Sequence, residues 1–178
     1  LLSNVISEIR LQGDTSWVWL GTGRGLSRVK DSLNIETFFT SSDLTNESST
    51  AGYFPVGGVS AIAVKGDTVF VAFASSENDF PIGKGVVYTA NTATENPVWI
   101  YYDQPVDGAD AETFPWGGIG FVKGLPITVE EYNVTYDAAI GSGFVWIASW
   151  AGGLRRYKIS DGSWERVPTP EDDQLTLI

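Results

Sequence analysis

The 178-residue sequence contains no cysteine, no histidine and no methionine. Without cysteine there is neither a disulfide nor a thiolate nucleophile or ligand. Without histidine there is no imidazole base, which excludes His-dependent triads and the usual zinc and copper sites. Basic residues are scarce: 11 Lys and Arg stand against 22 Asp and Glu, for a net charge of −11. Nucleic-acid phosphates require clustered cations, so that partner class is excluded, and anionic membrane surfaces are disfavoured for the same reason. No run approaches the roughly 20 apolar residues of a transmembrane helix, so no membrane insertion is expected. The missing methionines, with leucine at position 1, read as a processed or trimmed piece of a longer protein.

What is present points to β structure. Hydrophobic residues make up 43% of the chain and charged residues 19%, a globular balance. Twenty glycines, with few Ala/Leu/Glu/Lys runs, disfavour helix.

One stretch, residues 14–29, reads Asp-Thr-Ser-Trp-Val-Trp-Leu-Gly-Thr-Gly-Arg-Gly-Leu-Ser-Arg-Val, and it recurs. Residues 145–157 repeat it as Val-Trp-Ile-Ala-Ser-Trp-Ala-Gly-Gly-Leu-Arg-Arg-Tyr, and residues 69–89 more loosely. Val18, Val69 and Val145 align, as do Trp19, Phe70 and Trp146, then Leu20, Val71 and Ile147, then Gly21, Ala72 and Ala148. Small residues at the last position suit a close approach of neighbouring strands. Gly25, Gly85 and Gly153, each before a third strand, suit a turn with unusual φ. Around each repeat lie four short alternating segments, about the size of one propeller blade. The expected fold is all-β, with three four-stranded antiparallel propeller blades at about residues 2–40, 59–102 and 133–167, forming part of a larger propeller.

A Leu-Ser-Asn lead-in, an inner strand, a Gly-Asp turn, then Val-Trp-Leu-Gly-Thr, Gly-Leu and an aromatic closing strand resembles the two-component regulator propeller repeat. The first repeat fits well, the third departs with Ala148-Ser149 in place of Gly-Thr, and the second is loose. The resemblance implies an extracellular, cell-surface or periplasmic bacterial protein, either a sensor region or a secreted propeller. It carries over no catalytic residue, because the motif residues of that family are structural.

Function is expected in what separates the repeats. Loops at residues 41–58, 75–84 and 103–131 fall on one face of such blades, while the opposite turns at 13–14, 66–67 and 141–143 are minimal. Long loops on a rigid scaffold are where binding usually resides. They carry aromatics, with Tyr53, Phe80, Trp116 and Trp150 the candidates for stacking on a sugar or clasping a peptide, and Arg24 at a turn tip. The alternative is that the aromatics fill a local core. The echo of Phe54-Pro-Val-Gly-Gly-Val59 in Phe114-Pro-Trp-Gly-Gly-Ile119 favours that alternative, and it suggests a further strand at 119–123.

The same loops hold ten acidic residues, a composition that suits Ca²⁺. Residues 103–114 nevertheless miss the EF-hand spacing, placing Pro105 in the third ligand slot and Phe114 in the twelfth. No metal or other cofactor is therefore expected. Arg24, Arg28, Lys30, Arg155, Arg156 and Lys158 gather around the third strands and read as surface decoration balancing acidic neighbours. The leading functional expectation is a non-catalytic binding module whose long-loop face contacts a glycan, peptide or protein. Its partners would be the remaining blades of the parent or another chain. A structural element pairing through blade edges is the second reading, and a carboxylate-based glycosidase is the third.

Overall fold

The computed structural model describes residues 1–13, 17–31, 33–39, 54–77, 79–93, 97–102, 113–116, 120–123, 134–149, 153–161 and 163–167. Every regular element among them is a strand apart from isolated turns. The first sheet is a meander of β1 (Ile6–Gln12), β2 (Trp17–Thr22), β3 (Gly25–Val29) and β4 (Ile35–Phe39). The second is β5 (Gly58–Lys65), β6 (Thr68–Glu77), β7 (Phe80–Thr89) and β8 (Ile100–Tyr102). A hairpin of β9 (Thr113–Trp116) and β10 (Gly120–Lys123) follows, then a third sheet of β11 (Thr135–Gly141), β12 (Phe144–Ser149), β13 (Gly153–Lys158) and β14 (Trp164–Arg166). All pairings are antiparallel.

The sheets stack in chain order. One face of the first, carrying Trp19 and Leu26, packs on Val59, Ile62, Val69, Val71, Phe73 and Val87 of the second. The opposite face of the second sheet, carrying Ala61, Ala63, Phe70, Ala72, Val86 and Tyr88, packs on Ala138, Val145, Ile147 and Tyr157 of the third. A strand covered on both faces has no polar side to maintain, which is why β6 reads Val-Phe-Val-Ala-Phe without alternation and all five residues are buried. Fully burying each Val or Phe of this run contributes about 1.5–3 kcal/mol. Phe54 anchors the entry to the second sheet, edge-on to Trp99 at 5.1 Å and Phe73 at 5.7 Å, while Trp99 meets Trp19 at 5.9 Å across the sheets.

The three first strands share an irregularity that the sequence does not announce. Register shifts occur between Ile6 and Glu8, Val59 and Ala61, and Thr135 and Asp137, at equivalent positions of the repeat. Each is a bulge that leaves one extra residue (Ser7, Ser60 or Tyr136) out of the pairing and bends the strand. On the inner edge of the stack Arg10 of β1 reaches Asp137 of β11 at 3.0 Å, so the first and third sheets converge there.

Two expected loops are partly strand. Residues 75–84 extend β6 and β7, pairing Ser75 with Ile82, Ser76 with Pro81 and Glu77 with Phe80. Asp79, at φ 67°, helps reverse the chain at the tip. Residues 103–131 include the β9–β10 hairpin, which pairs Trp116 with Gly120. Gly25, Gly85 and Gly153 all have positive φ, at 131°, 100° and 62°. Gly85, however, sits within β7 beside a register shift instead of at a turn.

Candidate functional site

In each four-stranded meander the turn between second and third strands lies at the same end as the connection to the next repeat. That end holds Arg24. The turn bearing it is closed by Thr22, whose Oγ1 donates to the Gly25 carbonyl at 2.9 Å and accepts the Arg24 N–H at 3.1 Å. Gly23 donates to the Val5 carbonyl at 3.1 Å, and a Cβ on Gly58 would lie 3.2 Å from the Gly23 Cα. The segment entering the second sheet is therefore laid directly on the Arg24 turn, and Arg24 is exposed beside it.

Of the other candidates, Phe80 opens β7 opposite Glu77, and Trp116 ends β9 opposite Gly120. The Phe80 and Trp116 side chains, and the whole of Tyr53 and Trp150, lie outside the described residues. Arg24 is thus the one candidate whose side chain is placed. Nine of the ten loop carboxylates proposed as calcium or glycosidase groups likewise fall outside the described side chains, Asp79 being the exception.

The opposite end carries a buried polar knot that sequence reasoning missed. Gln12 Nε2 donates to the Gly66 carbonyl at 2.9 Å and to Thr92 Oγ1, while its Oε1 accepts from Trp19 Nε1 at 2.9 Å. Arg28 donates from Nη1 to the Thr92 carbonyl at 2.6 Å and from Nε and Nη2 to Glu36 at 2.8 and 2.7 Å. Its guanidinium lies over Trp17 at 4.7 Å and Trp19 at 5.6 Å. Arg28, with its side chain 2% exposed, is no surface decoration, and Arg155 is buried too. Both expectations for those residues are corrected by the same cause: each sits on a sheet face that its neighbour covers. The knot is a cross-link in which Gln12, Arg28 and Thr92 pair polar groups that stacking the first two sheets removes from water.

The third sheet repeats the arrangement. Arg156 contacts Glu165 at 2.5 Å and lies over Phe144 at 4.2 Å and Trp146 at 5.5 Å. Cross-strand rows of Arg10, Trp19, Arg28 and Glu36 in the first sheet thus correspond to Ala139, Trp146, Arg156 and Glu165 in the third. The row leaves a trace in the sequence, a Trp, an Arg and a Glu on three successive strands of both copies, although the intervals between them differ by one residue.

Carboxylates at the turns between third and fourth strands cap backbone. Asp31 accepts from the N–H groups of Leu33 and Asn34 and from Asn34 Nδ2, which lowers its pKa, the Leu33 bond being the largest cause. Asp161 accepts from Lys158 Nζ at 2.5 Å and from the hydroxyl and N–H of Ser163, and its pKa falls to about 2, mainly through Lys158. With Glu8, Glu36, Asp137 and Glu165 paired to arginines, these acids are committed to structure. Among the described residues no group of three or more acids could hold a metal, and no helix is long and apolar enough to cross a membrane.

No protein-family model matches the chain, and neither does any curated protein. Solved structures to which it is similar include two extracellular domains from B. thetaiotaomicron, each of a protein assigned as a hybrid two-component system. One shares 15% identity at a TM-score of 0.41, over 97% of this chain and 26% of its own length. The other shares 16% identity at a TM-score of 0.39, over 93% of this chain and 22% of its own. The chain therefore spans about a quarter of the length of these structures.

Proposed function

We propose that the chain is a three-blade segment of a β-propeller and serves outside the cytoplasm as a non-catalytic binding module. The observation that carries this reading is the order of the stack. Three four-stranded meanders follow one another front to back, with the same bulge in each first strand and first strands neighbouring at the inner edge. The segments between repeats leave from the end that bears Arg24, so the insertions and the Arg24 turn form the contact face. The repeat's likeness to the two-component regulator propeller, whose motif residues are structural, supports the location and the non-catalytic reading.

A glycan is the ligand class that the aromatic insertions suit, because a sugar's apolar face stacks on indole rings. The test is an array of plant and microbial polysaccharides probed with the 178-residue chain and with a double variant, Trp116→Ala with Trp150→Ala. The wild type is expected to bind at least one polysaccharide, and the variant to lose that binding with an unchanged far-UV spectrum. Undiminished binding by the folded variant would refute this assignment of the face.

A further inference from the structure

Ser7 and Ser60 are the bulged residues of β1 and β5 and stand at equivalent positions of the repeat. Ser7 Oγ donates to the Val59 carbonyl at 2.7 Å and ties the inner strand of the first sheet to that of the second. Ser60 Oγ is buried, yet it has no hydrogen-bond partner among the described residues. The bond made at the first junction is therefore not repeated by its equivalent at the second.

The two junctions also differ in what they bury. Between the first and second sheets lie Trp19, Leu26, Ile62 and Trp99, and Arg28 fastens the two sheets through the Thr92 carbonyl. Four of the ten described core residues between the second and third sheets are alanines (Ala61, Ala63, Ala72 and Ala138), against none at the first junction. Hydrophobic stabilisation follows the apolar area removed from water, so methyl groups hold a junction less firmly than indole and isobutyl groups.

Where the serine bond is missing, an ion pair spans the stack. Arg10 Nη2 reaches Asp137 Oδ1 at 3.0 Å, from the first sheet to the third, past the sheet that separates them. Aligned by register, β5 carries Ala61 and Ala63 where β1 carries Glu8 and Arg10, so the middle strand puts only methyl groups at those positions. Glu8 holds the same guanidinium through Nη1 at 2.6 Å. The Arg10 and Asp137 side chains are 36% and 69% exposed, and a pair so open to solvent is weak and yields to salt.

We propose that the junction between the second and third sheets is the hinge of the stack, and that Arg10 and Asp137 form its latch. The first two sheets move as one body, and release of Asp137 lets the third rotate relative to them. The chain leaving β8 and the chain entering β11 both lie at the end that bears the Arg24 turn, so opening the hinge changes the spacing of the contact face. A ligand held there across both sheets favours one setting of the latch. That coupling rests on the proposed contact face, whereas the hinge stands without it.

The chain has no cysteine, so spin labels attach only to cysteines introduced for the purpose. Leu33, Ala90 and Ser160 are exposed and follow the third strand of their respective repeats. Pulsed double electron–electron resonance on Leu33→Cys with Ala90→Cys reads the first junction, and Ala90→Cys with Ser160→Cys reads the second. Asp137→Asn keeps an acceptor for the Ala138 N–H and loses the charge, while Arg10→Gln removes the other half of the latch. Each is expected to broaden the Ala90–Ser160 distance distribution, to leave the Leu33–Ala90 distribution as it was, and to preserve the circular dichroism spectrum. The double variant is expected to broaden it no further than either single one. Raising NaCl from about 0.01 M to about 1 M, which shortens the screening length from roughly 30 Å to roughly 3 Å, should broaden the Ala90–Ser160 distribution of the latched chain and leave that of Asp137→Asn unchanged. An Ala90–Ser160 distribution unaltered by either substitution would overturn the proposal. So would equal broadening of both distances, since the stack would then loosen as a whole.

Discussion

Val59 of the second sheet is seated on Gly21 of the first, so closely that a Cβ built on Gly21 would stand 2.5 Å from Val59 Cγ1. The contact explains why the repeat keeps a small residue at this position, and it sets the distance between the two sheets. Gly21→Ala forces one sheet to shift, and overpacking of this kind costs about 1–3 kcal/mol. Urea unfolding should show the loss, and Val59→Ala in the Gly21→Ala background should recover part of it, giving a non-zero coupling energy in the double-mutant cycle.

Arg28 and Arg156 make the same ion pair in two surroundings, so their substitutions should differ. Arg28→Ala leaves the buried Thr92 carbonyl without this donor and unpairs Glu36, whose side chain is 37% exposed, and a loss of about 2–4 kcal/mol is expected from the two charge-assisted contacts together. Arg156→Ala breaks an ion pair whose two side chains are 14% and 18% exposed, and a loss of about 1.5 kcal/mol, that of a hydrogen bond to a charged group, is expected. Chemical denaturation of the two variants measures both. Equal losses would mean that covering the face adds nothing to the pair.

Acid should loosen the turn between β13 and β14 before it disturbs the stack. Lys158 and Ser163 hold the Asp161 carboxylate at a pKa of about 2, below its ordinary value of 3.8. A depressed carboxylate pKa stabilises the fold above the unfolded value, and that contribution is lost as pH falls from roughly 4 through 2. The measurement is an NMR titration of the Asp161 carboxyl carbon, with the Ser163 amide signal moving in step. Asp161→Asn should remove that titration and leave the turn less protected from hydrogen exchange at neutral pH.

The strands themselves were readable because their causes are local. Alternation in β1, the Trp-Val-Trp-Leu-Gly run of β2 and the glycines before the third strands each follow from neighbours in sequence, and Gly25 and Gly153 have the positive φ that such turns need. Reading Ser75-Ser76-Glu77 as a loop failed for the complementary reason. Polar residues beyond the core still pair when a strand partner continues alongside, as Phe80, Pro81 and Ile82 do here. Phe54 belongs to the core, as the echo of its segment near residue 114 suggested. Of the expected contact face, Arg24 stands at its turn tip, while Tyr53 and Trp150 fall outside the described residues.

The knot around Gln12 had no such local signature, since its partner Thr92 is 80 residues away in sequence. Trp19 and Trp146 make the division plain. Sequence alone determined that each sits in the second strand of a repeat, because strand period and turn chemistry are short-range properties. Only the tertiary structure decided that Trp19 is sealed beneath another sheet while Trp146 lies on the last face of the stack. What covers a side chain depends on which sheet comes next in space, and a residue's neighbours in the chain do not encode that.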